Sequence, residues 1–363
     1  MLKIGSAVLT EPTGLNQALI QRLAGEMVKL RRNSREFVLV SSGAIAAGMK
    51  KLELASRPPG IPQQQAVAAV GQSALMLTYE EAFAAYGLKV AQILLTHDDL
   101  EARGRFLNAR NTLRTLLSWN VLPIVNENDT VATHELKFGD NDNLAALICN
   151  LVDADLLIIL TDIDGLYDKD PREHADAHLL SLLETTDPVL GKAPSRRTGA
   201  LGRGGMFTKV QAVKKVGAAG IPTVIANGLT PGVLDRIFAW EEAGTLFLPQ
   251  EQKLSSRQYW LAYNVTPQGA VLVDDGAREA LMRRGKSLLP AGIVEVFGAF
   301  GKGAPVHLVD SDGQAFAMGL TNYTSREINR IKGRQTKEIA PTLGQKDYDE
   351  VIHRDNLVIF PEI

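Results

Sequence analysis

Strand-like apolar runs alternate with helical patterns along most of this chain, and this alternation restricts the possible folds more than any other feature. The strand-like runs are Phe37–Val40, Leu88–Leu95, Val121–Val125, Leu156–Thr161 and Ile221–Ala226. Apolar residues at helical spacing lie between them, as in Asn16–Arg31 and Gln63–Tyr86. Such alternation predicts an α/β fold with a doubly wound, mainly parallel sheet sandwiched between helices.

The pattern changes near residue 250. Short apolar segments at 269–273, 293–297, 306–309 and 315–319 are separated by glycine turns, with one helical pattern at 276–284. This predicts a small β-barrel. We therefore expect an α/β domain over residues 1–250, a linker over 251–267, a barrel over 268–345 and a C-terminal tail over 346–363.

Composition excludes several classes of protein. The 363 residues carry a formal net charge of -2, so there is no overall positive field to attract nucleic acid or an acidic membrane. The only cysteine, Cys149, lies in an apolar run and is expected to be a buried structural thiol. No apolar run approaches the ~20 residues of a membrane span, and the N-terminus lacks a signal-peptide core. We expect a reducing, cytoplasmic compartment and no membrane association.

Polar and charged residues crowd the stretch Val125–Asn143, between a strand-like segment and the helical pattern Leu144–Val152. They are Asn126, Glu127, Asn128, Asp129, Lys137, Asp140, Asn141, Asp142 and Asn143. Ligands of open α/β sheets bind at the carboxyl ends of strands, so the stretch predicts a site for a small, polar, amino-acid-like substrate. Taken alone, it is equally consistent with a solvated loop rich in turn-forming residues.

Two glycine turns suit anionic groups. Ser41-Ser42-Gly43 joins a strand to a helix, where free backbone N–H groups favour phosphate or carboxylate, although Ser42 can also be a plain helix cap. The run Gly199–Lys209 opens the helical pattern Val210–Ala219 and combines close backbone approach with a mobile cation, as nucleotide phosphates require. It lacks the spacing of a Walker A motif.

Lys3 and Lys209 lie on separate glycine turns and can point at one anion, with Asp140 and Asp142 between them in the chain. None of the six histidines lies in a glycine turn or beside a candidate nucleophile. A carboxylate substrate, with a pKa near ~4, is already ionised and needs no general base. Phosphoryl transfer to it requires positioning and charge cancellation, which lysines, backbone amides and a nucleotide-bound Mg²⁺ ion supply.

Six ordered motifs resemble those of the bacterial glutamate 5-kinases, a branch of the amino-acid kinase superfamily. They are Lys3–Ser6, Ser41–Gly48, Asn126–Asp129, Phe138–Leu144, Thr161–Tyr167 and Gly202–Lys209. The resemblance covers nearly the whole chain, because residues 268–345 are similar to the PUA domain of many members. It implies the amino-acid kinase fold and ATP-dependent phosphorylation of the side-chain carboxylate of L-glutamate to L-glutamyl 5-phosphate, the first step of proline biosynthesis.

The resemblance also implies roles for individual residues. Those implied to hold glutamate are Ser42, Gly43, Asp129, Asp140 and Asn141. Those implied to hold ATP are Lys3, Thr161, Asp162, Arg203, Gly204, Gly205, Met206, Phe207, Thr208 and Lys209. Catalysis is assigned to Lys3 and Lys209, which stabilise the moving phosphoryl group, and to Asp142, which orients them. No protein ligand to a metal is implied, since Mg²⁺ arrives with ATP.

Partners are implied in the same way: proline as a feedback inhibitor, the glutamyl phosphate reductase of the next step, and a homo-oligomer, dimer or tetramer.

Three positions depart from the family pattern. Only Met1 and Leu2 precede Lys3, so the first strand is expected to be frayed or to begin upstream. Ala7 replaces a usual hydroxyl residue, and Arg203 occupies a position that is commonly small, where it either contacts phosphate or is solvated.

Two alternatives stay open. One is a kinase for another acid, such as aspartate or N-acetylglutamate. The other is an RNA-binding protein that acts through the C-terminal barrel. The segment Gly269–Gln345 has ten Lys+Arg and eight Asp+Glu residues. That small excess is a weak basis for binding a phosphate backbone.

Overall fold

The computed structural model describes residues 1–11, 14–132, 141–191, 205–249 and 253–360. Contacts divide the chain into two compact units, Met1–Lys253 and Leu254–Ile363. Among the helices of the described ranges, none is long and apolar enough to cross a membrane.

The first unit combines one large sheet with helices. Its described strands are β1 Leu2–Ile4, β2 Thr10–Glu11, β3 Gly14–Leu15, β4 Leu39–Ser41, β5 Val90–Leu95, β6 Leu122–Glu127, β7 Leu157–Thr161, β8 Leu182–Glu184, β9 Thr223–Asn227 and β10 Thr245–Leu248. Its described helices are α1 Ser6–Leu9, α2 Gln17–Arg31, α3 Ala44–Lys51, α4 Ile61–Ala84, α5 His97–Glu101, α6 Arg103–Ser118, α7 Asn141–Val152, α8 Met206–Ala218 and α9 Val233–Phe238.

Eight of these strands form the sheet, in the order β5-β6-β4-β1-β7-β9-β10-β8. All neighbours are parallel except β9 and β10, which run antiparallel. The next strands of this sheet along the chain, β4, β5 and β6, all lie on one side of β1. The later strands β7 and β9 lie on its other side. The strand order therefore reverses at β1, and in open α/β sheets ligands bind at the carboxyl ends of strands beside such a switch point.

The central strand β1 is short but not frayed, so of the two expectations for it, fraying or an upstream start, the first is wrong. Leu2, Lys3 and Ile4 are all buried, and each pairs with β4 on one side and β7 on the other. An edge strand of only three residues would be weakly held. This strand is held in place because it has hydrogen-bonded neighbours on both sides. Lys3 consequently starts from a rigid position in the middle of the sheet.

Two helices begin earlier than the sequence predicted. Helix α7 starts at Asn141 rather than Leu144, and α8 starts at Met206 rather than Val210. The N–H groups of a first helical turn have no intrahelical acceptor, so polar side chains and a negative charge are well tolerated there. Residues that the sequence predicted to be in loops, including Asp142 and Lys209, are therefore on helices.

The second unit has its own sheet and core. Its described elements are α10 Ser256–Tyr263, β11 Ala270–Val273, α11 Asp275–Arg284, β12 Ile293–Phe297, β13 Pro305–Val309, β14 Ala315–Leu320, α12 Ser325–Ile331, α13 Ile339–Leu343 and β15 Leu357–Ile359. The strand order is β12-β11-β13-β14-β15. Strand β15, in the segment expected to be a tail, pairs antiparallel with β14. It escaped notice because three residues are too few to show periodicity.

The predicted fold class is confirmed: a mainly parallel sheet with helices, followed by a separate strand-rich unit.

One close approach in the first unit sets the position of α3. A Cβ atom added to Gly71 on α4 would lie 1.8 Å from the carbonyl oxygen of Ala44 on α3. A Cβ on Gly48 of α3 would lie 1.9 Å from the carbonyl oxygen of Val67 on α4. The two helices are therefore in backbone contact, and no residue larger than glycine fits at position 48 or 71.

We predict that Gly71→Ala lowers the free energy of unfolding by about 1–3 kcal/mol or more, since the added methyl group must push two backbones apart. Gly104→Ala on α6 is the matched control. A Cβ there meets nothing within 4 Å, so replacing a helical glycine is expected to stabilise the protein by up to ~1 kcal/mol. Urea unfolding of both variants measures the difference, and equal stabilities would contradict the described contact.

Candidate active site

Polar residues of four neighbouring strands lie at or near the carboxyl edge of the large sheet. They are Lys3 on β1, Ser41 on β4, Asn126 on β6 and Thr161 on β7. The first turns of α7 and α8 add Asp142 and Lys209 to this group. Lys3, Thr161, Asp142 and Lys209 are among the site residues of the sequence analysis, whereas Ser41 and Asn126 are not.

Asp142 is the centre of a buried charge cluster that we call the lysine–aspartate cluster: Lys3, Asp142 and Lys209. The Asp142 carboxylate is completely buried and forms an ion pair with Lys3. Its Oδ2 atom lies 3.5 Å from Nζ of Lys209 and accepts a hydrogen bond of 2.9 Å from the Thr208 hydroxyl. Both lysines are 5% exposed. Buried charges are costly unless paired, so the carboxylate is what allows two ammonium groups to lie side by side.

Electrostatics keep the carboxylate of this cluster ionised. Burial by itself acts to raise the pKa of Asp142, but the positive charges of Lys3 and Lys209 outweigh it and hold the pKa well below its usual range. Two cations and one anion leave the three side chains with one net positive charge. Such fixed charge in a buried site is well suited to an anionic group such as a transferring phosphoryl.

A second cluster consists of neutral side chains. Nδ2 of Asn141 lies 2.7 Å from the carbonyl oxygen of Ser41, 3.0 Å from Oγ of Ser42 and 3.0 Å from Oδ1 of Asn126. Asn126 in turn donates through Nδ2 to Oε1 of Gln72 at 2.8 Å. These contacts tie α7 and β6 to the turn after β4 and to helix α4.

Helix α4 contributes two residues that the sequence analysis missed. Besides Gln72, the buried Tyr79 places its hydroxyl 2.8 Å from Oγ of Ser41. The two are seven residues apart, a spacing that puts side chains on one helix face. The sequence shows this spacing, which predicts that the two side chains share a face of the helix. It does not indicate which residues that face contacts.

Asp129 lies just beyond β6 and is partly buried. Burial raises its pKa to about 6, against the opposing positive charge of Arg57. The carboxyl group therefore changes charge close to neutral pH, which is common for residues that meet a ligand.

Gly43, on the turn before α3, has φ +98°. Because L side chains rarely adopt that conformation, the turn that carries Ser42 depends on glycine there.

The expected nucleotide residues lie on the other side of β1. Thr161 ends β7 and its hydroxyl donates to Oδ1 of the exposed Asp162 at 3.0 Å. Gly205 precedes α8, and Met206–Lys209 form its first turn, where the N–H groups have no acceptor within the helix. Phe207 is exposed. Asp140, Arg203 and Gly204 fall outside the described residues.

Comparison with protein-family models matches both parts of the chain. Residues 1–227 match the amino acid kinase family, and residues 269–343 match the PUA domain. The first match covers more than half of the sequence and includes Lys3, Asp142 and Lys209.

Curated relatives match over nearly the full length. The glutamate 5-kinases of Geobacter sulfurreducens and Geobacter metallireducens are 52% and 53% identical, over 99% of this chain and 96% of theirs. The glutamate 5-kinase of Caldanaerobacter subterraneus is 49% identical, over 99% of this chain and 97% of its own. The resemblance drawn from the six motifs is thereby confirmed. The chain belongs to the amino acid kinase family and, within it, to the glutamate 5-kinases with a C-terminal PUA domain.

Proposed function

We propose that this chain transfers the γ-phosphoryl group of ATP to the side-chain carboxylate of L-glutamate, forming L-glutamyl 5-phosphate and ADP in the first step of proline biosynthesis. The observation that carries the proposal is the identity of about half of all residues, over 99% of the chain, with curated glutamate 5-kinases. The geometry of the site supports the same chemistry.

The reaction joins two anions. A carboxylate oxygen of glutamate attacks the γ-phosphorus, the bond from the γ-phosphorus to the bridging oxygen breaks, and ADP leaves with the bond's electrons. The attacking group has a pKa near ~4 and is already ionised at neutral pH, so no general base is required. The barrier comes from bringing anions together, and the buried ammonium groups of Lys3 and Lys209 offset the charge on the phosphoryl oxygens.

Asp142 acts in this scheme by position. It holds both ammonium groups at one place and remains ionised, because its pKa is well below the usual range. Its oxygens are engaged by Lys3, Lys209 and Thr208. Among the described residues no group of three or more His, Cys, Asp or Glu side chains is arranged to hold a metal ion. We propose that Mg²⁺ is held by the nucleotide phosphates and neutralises part of their charge.

For the amino acid, we propose that Asp129 pairs with the α-ammonium group and that Ser42 with the Gly43 amide receives a carboxylate, with Asn141 beside them. Asp140 is proposed to support the same site. For ATP, we propose Thr161, Asp162 and the run from Arg203 to Lys209, in which the first turn of α8 meets phosphate. Proline inhibition, the reductase partner, a homo-oligomer and a cytoplasmic location remain predictions of the resemblance.

Substrate choice is tested directly. The purified chain is supplied with ATP, Mg²⁺ and either L-glutamate, L-aspartate or N-acetyl-L-glutamate, and ADP release is coupled to a visible reaction. We expect turnover with glutamate. Turnover with another acid and none with glutamate would overturn the proposal.

We predict a division of roles between two charged residues. Lys209→Ala removes one of two cations that meet the transition state, so kcat should fall by about 10²–10³-fold with little change in the KM for glutamate. Asp129→Ala removes the partner of the α-ammonium group, so the KM for glutamate should rise on the order of tenfold or more. Steady-state kinetics measure both parameters.

Lys214→Ala is the matched control for the first variant, since Lys214 lies on the same helix outside the lysine–aspartate cluster. It should leave both parameters near those of the unaltered protein. Parallel changes of kcat and KM in Lys209→Ala and Asp129→Ala would contradict the separate roles.

The pKa of Asp129 predicts a pH dependence. Burial raises this pKa to about 6, and only the ionised carboxylate pairs with an ammonium group. As pH falls through about 6, the free protein takes up a proton and kcat/KM for glutamate should drop by up to about tenfold per pH unit. Glutamate's own side chain titrates lower, near ~4.3, and does not obscure this step.

Initial rates at subsaturating glutamate, from about pH 5 to about pH 8, resolve the step. Asp129→Asn keeps the shape of the side chain but cannot titrate, and its profile should lack the inflection near pH 6. An unchanged inflection in Asp129→Asn would assign it to another group.

A further inference from the structure

Three amide side chains form a continuous chain of hydrogen bonds from helix α4 to the substrate side of the site. We call Gln72, Asn126 and Asn141 the amide relay. Each amide has one end that only donates and one that only accepts. The direction in which the relay runs therefore determines which end of Asn141 is left for a ligand.

Backbone groups at two points define that direction. The N–H of Glu127, which can only donate, lies 2.9 Å from one end of the Asn126 amide, so that end is the oxygen. The carbonyl of Ser41, which can only accept, lies 2.7 Å from one end of the Asn141 amide, so that end is the nitrogen. The nitrogen of Asn126 then requires an acceptor, and the atom 2.8 Å away is Oε1 of Gln72. Turning any one amide over would set two donors or two acceptors against each other.

The two protons on Nδ2 of Asn141 are consequently directed at the protein. Three acceptors surround this nitrogen: the Ser41 carbonyl, Oγ of Ser42 and Oδ1 of Asn126. Oδ1 of Asn141 receives no hydrogen bond from the described part of the chain, and the residue is only partly buried. Asn141 thus offers a ligand an acceptor, which suits an ammonium group and not a carboxylate. Ser42, by accepting from Asn141, keeps its own O–H proton to donate.

We propose that Gln72 is a positioning residue for substrate specificity: through Asn126 it holds the Asn141 amide with its oxygen towards the α-ammonium group of the amino acid. This rests on the proposed function, which supplies the amino-acid substrate. Gln72 itself touches neither substrate nor nucleotide in this scheme. Its effect passes through two hydrogen bonds.

Burial is the reason that a remote glutamine has such an effect. Asn126 is 2% exposed, so an Nδ2 atom without its acceptor cannot turn to water. An unsatisfied buried donor carries a large penalty, and this penalty weakens the preference of the Asn126 amide for its present orientation. Asn141 then loses one of the three acceptors that hold its nitrogen inwards, and its preference for presenting the oxygen to a ligand weakens.

The test compares two replacements of similar size. Gln72→Met removes the acceptor, whereas Gln72→Glu retains a carboxylate oxygen that accepts from Asn126. Calorimetric titration with glutamate, in the presence of a nonhydrolysable ATP analogue, should show Kd about tenfold or more higher for Gln72→Met and near the original value for Gln72→Glu. A packing role would give the reverse order, because methionine fills an apolar contact better than a carboxylate does. Gln72→Ala, which also lacks the acceptor, is expected to match Gln72→Met.

Glutarate, which has both carboxylates of glutamate but no amino group, isolates the contact. The original protein should prefer glutamate to glutarate, and Gln72→Met should lose most of that preference while its Kd for glutarate stays the same. Gln65→Met is the matched control on α4, since Gln65 donates to the carbonyl of Ala132 and not to the relay. It should keep the preference.

Equal affinities for glutamate in Gln72→Met and Gln72→Glu would overturn the proposal, as would a parallel loss of glutarate binding in Gln72→Met. These results differ from a failure of the proposed function. That failure would appear as absence of ADP release with glutamate in the unaltered protein, and binding would still decide the role of Gln72.

Discussion

The buried ion pairs of Asp142 are the interaction on which the site depends. A single carboxylate with no exposure neutralises one of two buried ammonium groups, and these come from a central strand and from the first turn of a distant helix. Without it, two like charges would lie together in a region of low dielectric, which is among the most costly arrangements in a protein. The same carboxylate thus stabilises the fold locally and leaves one net positive charge on the three side chains.

The topology of the sheet explains how these groups meet. Because β1 lies between β4 and β7, the turns that follow the three strands share one edge. The residues proposed for the amino acid follow β4 and β6, and those proposed for the nucleotide follow β7 and open α8. Lys3 on β1 lies between the two groups. Phosphoryl transfer needs its two substrates aligned across one short gap, and a switch point in a parallel sheet provides that arrangement.

Helix α4 supports the side of the site that is proposed for the amino acid at three points. Gly71 allows backbone contact with α3, which follows the Ser42-Gly43 turn, while Tyr79 bonds to Ser41 and Gln72 to Asn126. A shift of this helix would therefore move the serine turn and both asparagines together. Rigid support of this kind holds polar groups in one orientation, which is what allows an amide to distinguish an ammonium group from a carboxylate.

The sequence by itself determined the class of fold, the two-part organisation and the chemistry. Alternating apolar patterns predicted the sheet, and the motifs around Lys3, Asp142 and Lys209 indicated a phosphate site, because local patterning follows directly from the order of residues. Only the tertiary structure decided that Asp142 lies in a helix between both lysines, that β1 is held on both sides, and that Gln72 and Tyr79 reach the site. Those facts depend on contacts between residues far apart in the chain, and such contacts arise only when strands and helices pack around one core.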